Sequence, residues 1–449
     1  MYRDLTSGKI FSSLLLFALP MIAGDLLQQF YNIADTLIVG RILGTTALAG
    51  VGSAYTLMTF LTSVFLGLSM GSGALFSIYR GKGDEARLRS AVAHAFLLIL
   101  TVTLVLNLLV YLFLEPVLSF LRVPSGVRPG MREYLLVIFA GLLATSLYNF
   151  CACLLRAIGN SLVPLVFLGI SSVLNIGLDL LFVAVLPFGI RGAALATVLS
   201  QYVSGLGILF YVLLRCRELL PSRRELVFDR SILSEILHLS SLTCLQQSVM
   251  NFGILMVQGL VNSFGPTVMA AFAAAVKIDT FAYLPVQDFG NAYSTFIAQN
   301  YGAEKKDRIR KGTREAFGIS ILFSLLISFL VFVFAAPLMQ IFVRASETAV
   351  IASGVHYLRI EGAFYCGIGC LFLLYGYYRA VKRPGISVIL TVISLGTRVL
   401  LAYLLSGFFG ETGIWVSIPI GWILADLAGL VPLFSSLRSP SEPQQPPLT

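Results

Sequence analysis

Residues 43–54, LGTTALAGVGSA, return as residues 264–275, FGPTVMAAFAAA, without a gap and at an offset of 221. The same offset brings Tyr79-Arg80-Gly81 onto Asn300-Tyr301-Gly302 and Gly192 onto Gly413. After a slip to 223, Tyr134 meets Tyr357 and Arg156-Ala157 meets Arg379-Ala380. A repeat this long is a duplicated domain rather than a solenoid unit. The fold must therefore consist of two similar halves.

Composition states the solvent of those halves. The chain is 57% hydrophobic and 12% charged over 449 residues, with a mean hydropathy of +0.88, more apolar surface than one soluble core can hide. A bilayer core about 30 Å thick takes about 20 apolar residues per helix. That ruler predicts twelve spans, at 11–39, 49–78, 92–114, 134–155, 162–186, 190–214, 236–263, 267–298, 315–335, 351–378, 385–407 and 412–436. Long runs of this kind exclude a transmembrane β-barrel, whose strands are short and alternating. The expected fold is an all-α integral membrane protein of two pseudo-symmetric six-helix lobes. Six spans per copy, an even number, make the repeats parallel, with a substrate site between them.

The expected domains are a first lobe over 1–214, a linker over 215–235, RCRELLPSRRELVFDRSILSE, a second lobe over 236–437, and a disordered Pro-rich tail over 438–449. Of the Lys and Arg residues, 22 fall in loops on one side and 6 on the other, while Lys277, Arg359 and Arg398 fall within spans. The basic side is expected to be cytoplasmic, with both termini there. Topology and anionic lipid then account for the net charge of +9, and no nucleic-acid partner is needed. The start, MYRDLTSGKIFSSLLLF, lacks an A-x-A cleavage site and reads as the first retained span.

Enzyme chemistry finds no support in the residues. Gly81-Lys82 precedes glycine and Gly8-Lys9 precedes isoleucine, so no Walker A loop exists. The six cysteines lack zinc-ligand spacing, and small-residue helix packing explains Gly71-Ser72-Gly73 better than a nucleophile elbow does. No cofactor is expected.

Ionisable residues inside spans mark pathways or coupling sites. Asp25, Gln28, Asn32 and Asp35 are spaced 3, 4 and 3 apart in the first span and share one helical face. In the fifth span Asn175 and Asp179 are i,i+4 neighbours, and Thr197 follows in the sixth. Asp35, Asp179 and Thr197 lie within about 10 Å of the outer face at 1.5 Å per residue. Oxygen-bearing side chains at one depth make a site for a cation or proton. The second copy has Met256 for Asp35, Arg398 for Asn175 and Ala402 for Asp179. It holds instead Lys277, Asp279, Asp288, Glu361 and Arg398, expected to form one polar network, with Lys277 and Asp288 on one face and a carboxylate paired to Arg398.

At these residues the chain resembles the MATE family, the multidrug and toxin extrusion transporters. The resemblance spans nearly the whole sequence. It rests on Pro20 followed by Asp35 in DTLIVG, on Asn175-x-x-x-Asp179, on Thr197 eighteen residues later, and on the segments ending in RGKG and QNYGA. It implies a twelve-helix antiporter, expected as a monomer in the plasma membrane, that expels organic and often cationic compounds against inward H⁺ or Na⁺. It also implies that Asp35, Asn175, Asp179 and Thr197 form the cation site and that Gln28 and Tyr31, with Asn32 on the same helix, line the adjoining substrate cavity. Acidic residues used in the seventh helix of sodium-coupled relatives are replaced here by Gln246, Gln247, Asn251 and Gln258. Pro20 removes the backbone bond to Leu16 and gives the first helix a hinge or a static kink. The rival expectation is a lipid-linked oligosaccharide flippase of the same superfamily, whose central cavity would be rich in Arg and Lys; Lys277 and Arg398 are the candidates.

Overall fold

The computed structural model describes residues 3–120, 126–186, 188–221 and 227–438. Its first half contains α1 (Ile10–Ile42), α2 (Thr45–Lys82), α3 (Glu85–Leu112), α4 (Leu114–Phe120), α5 (Arg128–Ile138), α6 (Leu142–Ala157), α7 (Leu162–Asp179) and α8 (Gly189–Arg215). Its second contains α9 (Arg230–Asn262), α10 (Pro266–Gly302), α11 (Lys306–Phe342), α12 (Thr348–Gly362), α13 (Tyr365–Ala380), α14 (Pro384–Phe409) and α15 (Glu411–Arg438). There is no strand among the described residues. Among the described residues, eleven segments are long and apolar enough to cross a bilayer, and α12 with α13, bent by 51° at Gly362–Tyr365, make a twelfth. Side chains such as Leu322, Phe408 and Val431 are more than two-thirds exposed on the helices' outer faces, where lipid tails replace water.

The duplication is visible in the element ends. Gly44 and Gly265, equivalent residues, precede α2 and α10 with φ of 86° and 91°, a conformation that costs a side-chain-bearing residue dearly. At Gly192 an added Cβ would meet the Phe182 carbonyl oxygen at 2.8 Å, and its equivalent Gly413 is pressed as closely against Leu405.

Most helices overrun the apolar limits read from the sequence, and two of them do so through polar first turns held by a side-chain cap. α3 starts at Glu85, where the Asp84 carboxylate accepts from Arg87 N. α9 starts at Arg230 because Asp229 accepts from the Ser231 and Ile232 amides. The connection expected over 215–235 therefore shrinks to 216–229, with a short 3₁₀ turn at Arg217–Leu219 and residues 222–226 outside the described ones. The tail expected to be disordered likewise lies outside the described residues beyond Arg438. α1 runs unbroken through Pro20.

The halves meet along α2 with α9 and along α1 and α2 with α10. Small residues set that approach. A Cβ on Gly67 or Gly71 would strike the backbone at Cys244 or Ser240, and Ser72 Oγ lies 3.0 Å from Ser240 Oγ. Gly71-Ser72-Gly73 thus packs helices, as expected from its composition. At the basic end α2 and α10 cross reciprocally: a Cβ on Gly81 would overlap Gln299 O, and one on the equivalent Gly302 would overlap Ile78 O.

The segment before α1 lies over that crossing and touches both halves. Arg3 N donates to Gly159 O at 3.1 Å. Leu5 N donates to Gln299 Oε1 at 3.3 Å, and Arg308 donates to the carbonyls of Leu5, Ser7 and Gly8.

Candidate functional site

Three polar assemblies interrupt the apolar interior. In the first lobe, Asp35 on α1 and Asp179 at the end of α7 have carboxyls within hydrogen-bonding reach of each other. Asp35 Oδ1, both Asp179 oxygens and Asn175 Oδ1 have no donor in the protein. Asn175 Nδ2 donates to Thr197 Oγ1 at 3.4 Å, and Thr197 Oγ1 donates to Ala193 O at 3.1 Å. The four residues singled out from the sequence therefore form one cluster. Two carboxylates facing each other in low dielectric repel unless a proton or cation lies between them. The orphan acceptors are all hard oxygens, a set that suits a proton or an alkali cation.

The local backbone explains why these groups meet. Immediately after Asp179 the helix widens into a π turn over Leu180–Val185, a device common at functional positions. The turn lays Phe182 on Gly192, which brings α8 and Thr197 beside Asn175. Tyr31 and Tyr134 also face both carboxyls, with Tyr55 adjoining. Tyr134 was legible only as a partner of Tyr357 in the repeat, with nothing to place it at the acids.

The second assembly is a cavity of about 250 Å³ between the lobes, lined from α1, α2, α6, α7, α8, α9, α10 and α13. Gln28 and Tyr31 line it as expected, and so do Asp25, Gln246 and Gln247. Asn32 does not belong to its lining. On α1 the lining recurs at Met21, Asp25, Gln28 and Tyr31; steps of three residues turn back about 60°, so the seam swings toward Tyr31 and leaves Asn32 roughly 100° away.

Two cavity cations were misplaced by the sequence reading. Arg156 and Arg379, left just beyond the spans 134–155 and 351–378, both line the cavity. Each is the penultimate residue of its helix, α6 or α13, and the cavity reaches in under those helix ends.

The third assembly corrects the expected second-lobe network, whose five residues do not come together. Asp279 accepts from Tyr357 Oη at 2.6 Å and from Tyr365 Oη, with Glu361 beside it and Arg398 facing Glu361. Asp288 instead points into the central cavity, within hydrogen-bonding reach of Asp25 and beside Arg156. Lys277 stands 5.9 Å from the Phe342 ring centroid, a cation–π contact. Sharing a helical face with Lys277 does not bring Asp288 to it, because eleven residues span about 16 Å of axis. Neither Lys277 nor Arg398 lines the cavity, so neither supplies the cationic surface expected of a flippase. The sequence reading also passed over Asp426, an ionisable residue within the span 412–436, which is buried on α15 with Oδ1 unpartnered.

The profile of the MatE family matches residues 20–181 and 242–404, one match in each half. The chain belongs to the MATE family. It is 31% identical to the probable multidrug resistance protein YpnP of Bacillus subtilis over 95% of this chain and 96% of that one. It is 26% identical to the probable multidrug resistance protein NorM of Thermotoga maritima, over 91% and 89%. A MOP superfamily transporter from Pyrococcus furiosus superposes with a TM-score of 0.91 at 23% identity, covering 97% and 98% of the two chains. This MATE chain is thus a multi-pass membrane transporter and not an enzyme.

Proposed function

We propose that this MATE protein is a secondary active antiporter that expels organic compounds from the cell in exchange for inward H⁺ or Na⁺. The names of its relatives, its duplicated lobes and its inter-lobe cavity support export of drugs or toxins. The single observation that carries ion coupling is the Asp35–Asp179 pair, face to face with orphan oxygens. Asn175 and Thr197 complete the ion's oxygen donors, and Gln28 and Tyr31 belong to the cavity that receives substrate. The lobes are α1–α8 and α9–α15, and the chain works as a monomer in the plasma membrane with both termini cytoplasmic.

When the pair is empty, its charge repulsion disfavours close packing of α1 on α7. Binding an ion removes that repulsion, and the two packings then differ in free energy by the ion's differential affinity. Because α1 carries both Asp35 and the cavity residues Asp25, Gln28 and Tyr31, one helix reports ion occupancy to the substrate. Exchange requires this reciprocity. Pro20 leaves Leu16 O without its helical donor, which makes that turn of α1 the place where bending meets least resistance.

The second-lobe cluster carries one cation of its own beside its two acids. Arg398 occupies the position equivalent to Asn175 and supplies there the positive charge that the first lobe takes from solution. The test of coupling is ethidium efflux in inverted vesicles under an imposed pH gradient and, separately, a Na⁺ gradient. Transport driven by one gradient and stopped by Asp35→Asn is expected; undiminished driven transport in that variant would remove the pair from the mechanism.

A further inference from the structure

The central cavity holds two guanidiniums at equivalent positions of the repeat, Arg156 and Arg379. Both act electrostatically on the Cys153 thiol, which lines the same cavity. Their surroundings differ. Arg156 faces Asp25 and Asp288, whereas Arg379, 5% exposed, donates to Ser294 Oγ at 3.3 Å and Asn291 Oδ1 at 3.1 Å. Both of those acceptors are neutral. Among the described residues no carboxylate pairs with Arg379.

Asp25 and Asp288 reach each other as well as Arg156, and neither acts on Arg379. The charge of Arg379 is left over. The carbonyl end of α13 offsets about half a unit of it. A buried cation keeps its charge at low cost only when a counter-ion and hydrogen-bond acceptors meet it. A guanidinium's planar fork matches the two oxygens of a carboxylate or the edge of a phosphate.

Resting on the reading of this cavity as the substrate site, we infer that Arg379 binds a carboxylate or phosphate group of the transported compound. The substrates are then amphiphiles carrying an anionic group, zwitterions included, whose cationic part lies toward Asp25 and Asp288. Tyr31, Tyr148, Phe372 and Tyr375 supply the apolar and aromatic wall for the body of such a molecule. Arg379 is a specificity-determining residue, and its partner Arg156 is held by the acids.

Rhodamine B and its ethyl ester differ only in the free carboxylate, and their binding to the purified protein can be followed by fluorescence anisotropy. Wild type is expected to bind the acid about tenfold more tightly than the ester, the value of a charge-assisted pair. Arg379→Gln removes that preference, and Arg379→Lys keeps part of it. Equal affinities in wild type, or a preference that survives Arg379→Gln, would overturn the inference.

Should Arg379→Gln fail to fold, wild type alone decides. The acid, and not the ester, must slow N-ethylmaleimide modification of Cys153 resolved by peptide mass spectrometry; equal effects of the two dyes contradict the assignment. Binding of neither dye while gradient-driven ethidium efflux persists also overturns it and leaves antiport standing. Loss of that efflux altogether is the distinct failure of the transporter reading.

Discussion

At the scale of single residues, the first-lobe acid pair is the feature the sequence displayed most openly. Asp35 and Asp179 interrupt apolar helices, where a carboxylate has no other good explanation. The structure adds that their oxygens lack protein donors and that a π turn begins at the residue after Asp179. Arg156 and Arg379 were hidden for the opposite reason. They sit at helix ends, where a cation reads as a loop residue, and only the fold shows that a cavity extends beneath those ends. Thr197 tests the site's fine structure. Thr197→Val removes the hydroxyl that receives Asn175 Nδ2 and should raise the ion concentration for half-maximal transport by about three- to tenfold. Thr197→Ser should stay near wild type in the same titration.

At the scale of elements, the twelve spans were legible from apolar runs of the right length, and the repeat supplied their pairing. Their ends were not, because Asp84 and Asp229 extend α3 and α9 through polar turns that hydropathy cannot see. The second-lobe network was misread because helical periodicity states which face a residue is on and says nothing of which neighbour covers it. Arg398 carries a prediction here. Arg398→Asn restores the first lobe's residue at the equivalent position and leaves Asp279 and Glu361 without their internal cation. Isothermal titration should then show a second bound ion per chain; an unchanged stoichiometry would make Arg398 a packing residue only.

The α2–α10 crossing carries another. Gly81 faces backbone rather than a movable side chain, so Gly81→Leu should hold the basic end apart. The segment from Arg3 to Gly8 then loses its seat across both halves. Faster tryptic cleavage at Lys9 and loss of dye efflux are the expected readouts, whereas Gly318→Leu, with open space around it, should change neither.

At the scale of the whole molecule, the duplication gives two lobes of one plan with different electrostatics. The first lobe presents an acid pair that needs a cation from outside. The second carries Arg398 as its own. Between them the cavity combines residues of both copies, and α1 runs from the ion pair to that cavity. In the proposed antiport this asymmetry is what couples the two events: ion occupancy acts on one lobe while substrate touches both. The lobe plan followed from sequence, but the inter-lobe surface did not, since its closeness depends on Gly67, Gly71, Gly81 and Gly302 meeting backbone across the interface.

The most direct measurement of this linkage is ion exchange at the moment of substrate binding. Ethidium added to the purified protein in weakly buffered, Na⁺-containing solution should displace H⁺, read with a pH dye, or Na⁺, read with an ion-selective electrode. Roughly one ion per chain is the expected yield for a pair that holds a single charge between its members. Asp35→Asn and Asp179→Asn should abolish the release while ethidium still binds. Ethidium binding that displaces no ion from wild type, or a release that survives both substitutions, would contradict coupling through the Asp35–Asp179 pair.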